Sequence, residues 1–283
     1  MRKKFSRSIV LIAFVSLFII ACQKSVREPT ASEEIRTGIA NRGQGVTPYM
    51  FERINEHNFS SQGWKEQQVN LVSGVTNFAD ESDYIQIVCG PENNSDPRLI
   101  PGSITMNLPT GANPTLRRIR LRKGGYSGTM LADLTELKYS TCVVQNAPTN
   151  MVIQIDVNGD GLKDFNIFYE PRENNNGHPL QLNEWQQWDA LAGSWHVEIA
   201  TVPIPHPLTQ ACTIQQIFSA FPNARIIDTP PLGNNGEGVR FTIGGNPANL
   251  FANTIGYFDG LIIGTKNEQH STLYDFTCSP GND

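Results

Sequence analysis

Short runs of alternating apolar and polar residues, separated by glycine, proline, asparagine and aspartate, fill the chain from residue 58 onward. This alternation is typical of β-strands that have one buried face. It predicts strands at YIQIV (84–88), SITM (103–106), RIRL (118–121), LKYST (137–141), MVIQI (151–155), FNIFY (165–169), GVRFTI (238–243) and YFDGLII (257–263).

One segment, TIQQIFSAF (213–221), has a different period. Its apolar residues Ile214, Ile217, Phe218 and Phe221 recur at helical spacing and Pro222 follows them, so the pattern predicts one short helix. Many strands, a single helix and no repeat predict one all-β domain over residues 58–283. Its expected architecture is a two-sheet β-sandwich of the jelly-roll kind.

The first 22 residues, MRKKFSRSIVLIAFVSLFIIAC, combine a basic head, an apolar run and a small residue before a cysteine. These features predict a secretory signal over residues 1–21. The sequence IIAC resembles a bacterial lipobox, which predicts that Cys22 is lipidated; the alternative is an ordinary signal peptide with a cysteine nearby. Gln23 in place of aspartate favours the outer membrane. We therefore expect a lipid-anchored envelope protein that faces the periplasm or the exterior.

Residues 22–57 are polar and predict a tether, with a helical turn at 50–57. The chain has 22 basic and 27 acidic residues, and loss of the leader leaves 18 basic residues, a net charge of −9. An acidic protein of this kind is not expected to bind nucleic acid.

Four cysteines remain besides Cys22: Cys89, Cys142, Cys212 and Cys278. An even number in an exported protein predicts up to two disulfides, with three possible pairings. Free buried thiols are the alternative. The cysteines are too far apart in sequence to form a zinc motif.

The stretch DVNGDGLKD (156–164) lies between two predicted strands. Its oxygen ligands match the first nine positions of an EF-hand loop: Asp156, Asn158, Asp160, the Leu162 carbonyl and Asp164. Ile167 stands where the bidentate glutamate would be. Hard oxygen ligands predict a structural Ca²⁺ of modest affinity, about 10⁻⁴ to 10⁻³ M. The alternative is a metal-free turn, because Asn-Gly and Asp-Gly steps also form plain turns.

An aromatic cluster, Trp185, Trp188 and Trp195, follows in the sequence. Exposed indole rings on a sandwich could stack on sugars, whereas buried ones belong to the core.

Signals for catalysis are weak. Carboxylates for a glycosidase pair could come from Glu170, Glu173, Glu184, Asp189 and Glu198, but acids occur in every loop. The five histidines have no metal-binding spacing, and no nucleophile motif or phosphate-binding glycine loop occurs. The basic run RRIRLRK (117–123) alternates and predicts a solvated strand face, with a polyanion site as the alternative.

Several phrases occur together in one order: NFSSQGW (58–64), LADLTELKYST (131–141), WQQWDALAGSWH (185–196), TIQQIFSAFPNARI (213–226), GYFDGLIIGT (256–265) and TLYDF (272–276). This order resembles a group of exported bacterial β-sandwich domains, similar to concanavalin-like and carbohydrate-binding-module jelly rolls. The resemblance implies the β-sandwich fold and no particular activity. Our leading hypothesis is a non-catalytic surface protein that binds an extracellular glycan or another envelope component. A structural module of an envelope assembly and a glycan hydrolase are the other hypotheses.

Overall fold

The structure is a computed structural model, which describes residues 49–55, 57–70, 84–88, 96–99, 102–108, 117–145, 148–174, 179–198, 200–206, 208–228, 238–244 and 254–277. The predicted signal, the lipidation site Cys22 and most of the predicted tether lie outside these residues. Within them, no helix is long and apolar enough to cross a membrane.

Fifteen strands and one α-helix occur in the described parts of the chain, with a short 3-10 helix at Leu131–Asp133. The strands are β1 (Met50–Ile54), β2 (Trp64–Asn70), β3 (Tyr84–Val88), β4 (Ser103–Leu108), β5 (Arg117–Lys123), β6 (Leu134–Gln145), β7 (Asn150–Asp156), β8 (Phe165–Tyr169), β9 (Trp185–Asp189), β10 (Ser194–Glu198), β11 (Cys212–Thr213), β12 (Arg225–Ile226), β13 (Val239–Gly244), β14 (Thr254–Thr265) and β15 (Thr272–Phe276). The helix α1 is Ile214–Ala220. All eight predicted strands and the predicted helix are confirmed.

The first sheet, sheet A, is organised around the long strand β14. On one side β14 pairs with β6, which in turn pairs with β9. On its other side β14 pairs first with β4 and then, beyond Asp259 and Gly260, with β15. β3 lies next to β4, and β1 lies parallel to β15. β9 and β1 are thus edge strands.

The second sheet, sheet B, has the order β11-β10-β8-β7-β13-β5-β2, and β12 pairs with the end of β7. Its strands alternate as the sequence predicts. Ile119 and Leu121 on β5, and Phe241 on β13, are buried against the core. The helix α1 begins at a capping box, in which Thr213 and Gln216 bond reciprocally to each other's backbone amides.

Aromatic rings from the inner faces of both sheets form the centre of the core. Trp64 of sheet B is fully buried, and its ring centroid lies 4.8 Å from that of Phe276 and 5.7 Å from that of Tyr274, both on sheet A. Phe241 of sheet B and Phe258 of sheet A are 4.3 Å apart. Each such pair adds about 0.5–1.5 kcal/mol beyond the burial of its area. The two sheets therefore pack face to face, and the predicted all-β sandwich class is confirmed.

The predicted helical turn at 50–57 is wrong, because Met50–Ile54 is a strand paired along its whole length with β15. The amide of Thr277 also donates to the carbonyl of Ile54 at 2.8 Å. Sheet A therefore includes residues that the sequence pattern assigned to the tether.

Candidate functional sites

The DVNGDGLKD loop joins β7 to β8 as a hairpin, as its flanking strands predicted. Asp156 closes the loop: its Oδ1 accepts the amides of Asn158 at 3.0 Å and Gly159 at 2.6 Å, and its Oδ2 accepts that of Gly161 at 3.0 Å. Gly159 and Gly161 have φ angles of 81° and 80°, which glycine adopts without strain. The carboxylate of Asp156 thus accepts three backbone amides of the loop.

The remaining candidate metal ligands make similar contacts. Asp160 Oδ1 accepts the amide of Leu162 at 2.8 Å, and a carboxylate oxygen of Asp164 accepts another loop amide at 2.8 Å. The guanidinium of Arg225 packs against Gly159 and places a positive charge beside the loop. Among the residues described, no three histidine, cysteine, aspartate or glutamate side chains are gathered to hold a metal. Calcium binding by these oxygen donors stays a prediction.

Two of the three clustered tryptophans are core residues. Trp188 is 5% exposed and donates its indole N–H to Thr141 Oγ1 at 2.8 Å, while Trp195 is fully buried and donates to the carbonyl of Ala190 at 2.8 Å. The prediction that these two rings stack on a ligand is therefore wrong. Trp185 is only half-buried. It lies three positions before Trp188 on β9, so it points to the opposite, outer face of sheet A.

The outer face of sheet A places a second half-buried aromatic residue in line with Trp185. The cross-strand register pairs Trp185 on β9 with Cys142 on β6, Cys142 with Tyr257 on β14, and Tyr257 with Thr105 on β4. Directly opposed residues share a face, so these four side chains form one row across four strands. Trp185 and Tyr257 are two strands apart, about 10 Å.

Several side chains on this face have a buried polar atom with no hydrogen-bond partner among the described residues: Ser103 Oγ, Thr105 Oγ1, Asn107 Oδ1 and Trp185 Nε1. Ser103 and Thr105 are buried, whereas Asn107 and Trp185 are half-buried. A buried polar group without a partner costs about 1–3 kcal/mol. Because these four atoms are themselves buried, a ligand on this face would contact the half-buried rings of Trp185 and Tyr257. Sequence reasoning missed Tyr257 and Asn107, although alternation along β14 and β4 marks both as facing away from the core.

The candidate glycosidase carboxylates do not form one site. Glu170, Glu173 and His196 lie together beside sheet B, where His196 Nε2 contacts a carboxylate oxygen of Glu173 on an exposed surface. Burial raises the pKa of Glu170, and the charge of Glu173 raises it further. Glu184 and Asp189 belong to the edge of sheet A instead. The two carboxylates of a glycosidase face each other across a cleft. Here one group of carboxylates lies beside sheet B and the other lies at the edge of sheet A.

The basic run on β5 is not a solvated face, so that prediction is wrong. Arg120 and Arg122 share the outer face of sheet B as expected, but they are only 9% and 5% exposed. Arg240 on β13 stands opposite Arg122 and is 4% exposed. Lys123 has the other orientation, with its ammonium group 4.7 Å from the ring centroid of Tyr274 at the end of the core.

Cys142 and Cys212 are free and buried thiols, so the alternative of free cysteines is confirmed for this pair. Burial raises the pKa of the Cys212 thiol. Cys89 and Cys278 lie outside the described residues.

No protein-family model matches the sequence, and no curated protein matches it. Two solved structures match part of the chain at low sequence identity and low TM-score. One is SGBP-B from a complex xyloglucan utilization locus in Bacteroides uniformis, with 10% identity and a TM-score of 0.31 over 64% of this chain and 45% of that one. The other is a protein crystallised with xylogluco-oligosaccharide, with 12% identity and a TM-score of 0.30 over 71% of this chain and 39% of that one. This chain thus spans less than half the length of either.

Proposed function

We propose that this protein is a non-catalytic lipoprotein of the bacterial cell envelope that binds an extracellular glycan on the outer face of sheet A. The observation that carries the proposal is a pair of half-buried aromatic residues, Trp185 and Tyr257, which lie in one cross-strand row on the outer face of sheet A. The lipobox-like end of the leader at Cys22 supports the location, and it agrees with the polar stretch that follows.

The spacing of the two rings suits an extended saccharide. Rings on a sheet face stack on the apolar faces of sugars, and a gap of about 10 Å allows one chain to contact both. The face needs no charged group for this role.

Binding to a panel of neutral and acidic polysaccharides, xyloglucan included, tests the proposal by affinity electrophoresis and calorimetry. Trp185→Ala should weaken binding by about tenfold or more, since a lost ring contact is worth roughly 1.5 kcal/mol. Tyr257→Ala should weaken it, and Tyr257→Phe should weaken it less. Phe51→Ala is the matched control, because Phe51 is a 42% exposed aromatic residue on β1 at the opposite edge of the same sheet.

A second function, an interaction module of an envelope assembly, is favoured by the burial of Trp188 and Trp195. If no polysaccharide binds, or if Trp185→Ala and Phe51→Ala bind a polysaccharide equally well, glycan binding on sheet A is refuted. Cross-linking in intact cells would then identify protein partners.

A further inference from the structure

A cleft of about 460 Å³ opens where β2 begins and β5 ends, on the sheet that the glycan proposal does not use. Its walls include the backbone of Gly63 and Gly124, which are held together by a hydrogen bond of 2.9 Å from the amide of Gly124 to the carbonyl of Gly63. The charged side chains that line it are Lys65, Arg122, Lys123 and Asp228. Three positive charges and one negative charge thus line a cleft in a chain whose net charge is −5.

Two of these cations belong to a row of three like charges. Lys65 on β2 is directly opposite Arg122 on β5, and Arg122 is directly opposite Arg240 on β13. Lys65, at the end of this row, is exposed to solvent.

Lys123 supplies a third charge in a fixed position. Its ammonium group donates to the carbonyls of Gln62 at 2.8 Å and Gly124 at 3.0 Å, and it lies over the ring of Tyr274. The one lining carboxylate, Asp228, accepts the amide of Gly125 at 2.8 Å and is held at the rim by this bond. Burial lowers the pKa of Lys123, while the charges of Glu52 and Asp228 act to raise it.

We propose that this cleft is a binding site for an anionic group, a carboxylate or a sulfate, held by Lys65 and Arg122, with Lys123 as a further positive charge at the end of β5. A guanidinium offers paired N–H donors to two oxygens of one such group, and the ammonium of Lys65 adds a mobile donor. The site does not depend on sheet A, so it holds whether or not a glycan binds at Trp185.

Separate titrations with sodium glucuronate and sodium sulfate test the site, at constant ionic strength set with NaCl and with glucose as the neutral control. Saturable binding of either anion at one site, without binding of glucose, is expected. Lys65→Gln should weaken that binding about tenfold, the loss of one charge-assisted hydrogen bond. Arg122→Gln should weaken it further. Lys266→Gln is the matched control, because Lys266 is another exposed lysine and its only described partner is Asp133 at 3.7 Å.

The Lys65 variant decides the question if the buried Arg122 variant does not fold. The proposal is overturned if Lys65→Gln and Lys266→Gln bind both anions as tightly as the wild type, or if neither anion binds saturably. Trp185→Ala should leave anion binding unchanged, so failure of the glycan proposal and failure of this site give different results.

Discussion

Replacing Asp259 by asparagine should stabilise the fold at neutral and alkaline pH, because the wild-type carboxyl is buried in a place that disfavours its charge. Asp259 is fully buried where β14 exchanges its partner β4 for β15. Its Oδ1 accepts the amides of Gly260 at 2.7 Å and Phe276 at 3.0 Å, but its Oδ2 has no partner. The buried carboxyls of Asp275 and Asp96 are its acidic neighbours.

Burial raises the pKa of Asp259 well above its ordinary value, and the charges of Asp275 and Asp96 raise it further. The two backbone amides act in the opposite direction but do not prevail. A carboxyl with a raised folded-state pKa contributes most stability below its unfolded pKa of about 3.9. That contribution is lost as the pH rises through the folded-state value. The wild type should therefore lose stability from mildly acidic to alkaline pH.

Asparagine keeps the size of the side chain and the Oδ1 acceptor, and it carries no charge at any of these pH values. Each unit of pKa elevation corresponds to about 1.4 kcal/mol of lost stability above the folded-state pKa. We expect Asp259→Asn to raise the free energy of unfolding by about 1–3 kcal/mol at pH 8, and the melting temperature by roughly 2–10 °C.

Urea and thermal unfolding of both proteins from pH 4 to pH 9 measure this effect. The gain from Asp259→Asn should be smallest at pH 4 and should grow with pH. Glu184→Gln, at an exposed position before β9, is the control and should follow the wild type throughout. The reasoning is refuted if Asp259→Asn destabilises the protein equally at every pH, because the carboxylate would then be ionised and stabilising.

Three further predictions concern the loop, a tight backbone contact and the cysteines. Roughly 10 mM Ca²⁺ should raise the unfolding free energy by about 1.4 kcal/mol if the DVNGDGLKD loop binds it with a Kd near 10⁻³ M. Asp156→Asn should abolish this rise. If Ca²⁺ does not change the melting temperature of the wild type, the loop is a metal-free turn. Gly102→Ala should lower the free energy of unfolding, measured in urea, by about 1–3 kcal/mol or more. The reason is that the Cβ of the new alanine would lie 2.3 Å from the carbonyl oxygen of Phe276. Unchanged stability would contradict this close approach. Cys89 and Cys278 are the cysteines left for a disulfide in this exported chain, because Cys142 and Cys212 are not in one and Cys22 is the predicted lipidation site. Peptide mapping without reduction should find them linked to each other, and free thiols at both positions would contradict this prediction.

Local patterns in the sequence were sufficient for most of the fold. Alternation predicted β7 and β8 around the DVNGDGLKD hairpin, and the helical spacing of the apolar residues from Ile214 to Phe221, with Pro222 beyond, predicted α1. β1 was missed because the five residues MFERI have no distinctive period, and their conformation comes from pairing with β15, which is far away in sequence. Such a parallel pairing is a tertiary contact that no local propensity records.

Fewer of the three clustered tryptophans could have been proposed as ligand-stacking residues from the sequence alone. Trp185 and Trp188 are separated by an odd number of positions, so if both belong to one strand, only one of them can face outward. Tyr257 could not have been joined to Trp185, because the register of β9, β6 and β14 decides which residues share a row. The sequence therefore indicates which residue types could form the site, but not which of them lie side by side.

Alternation also cannot tell how exposed an outer face is. The outer face of a sandwich sheet is usually polar and wet, yet Arg122 and Arg240 on sheet B and Thr105 on sheet A are below a tenth exposed. Part of the cover on sheet A is visible, since Arg98 donates to Ser140 Oγ at 2.8 Å. Among the described residues, the two proposed sites are therefore placed where the shielding is incomplete: at the half-buried Trp185 and Tyr257 on sheet A, and at the cleft beside the exposed Lys65 on sheet B. Because the two sites lie on different sheets, a substitution at one should leave binding at the other unchanged, and the two proposals can be tested independently.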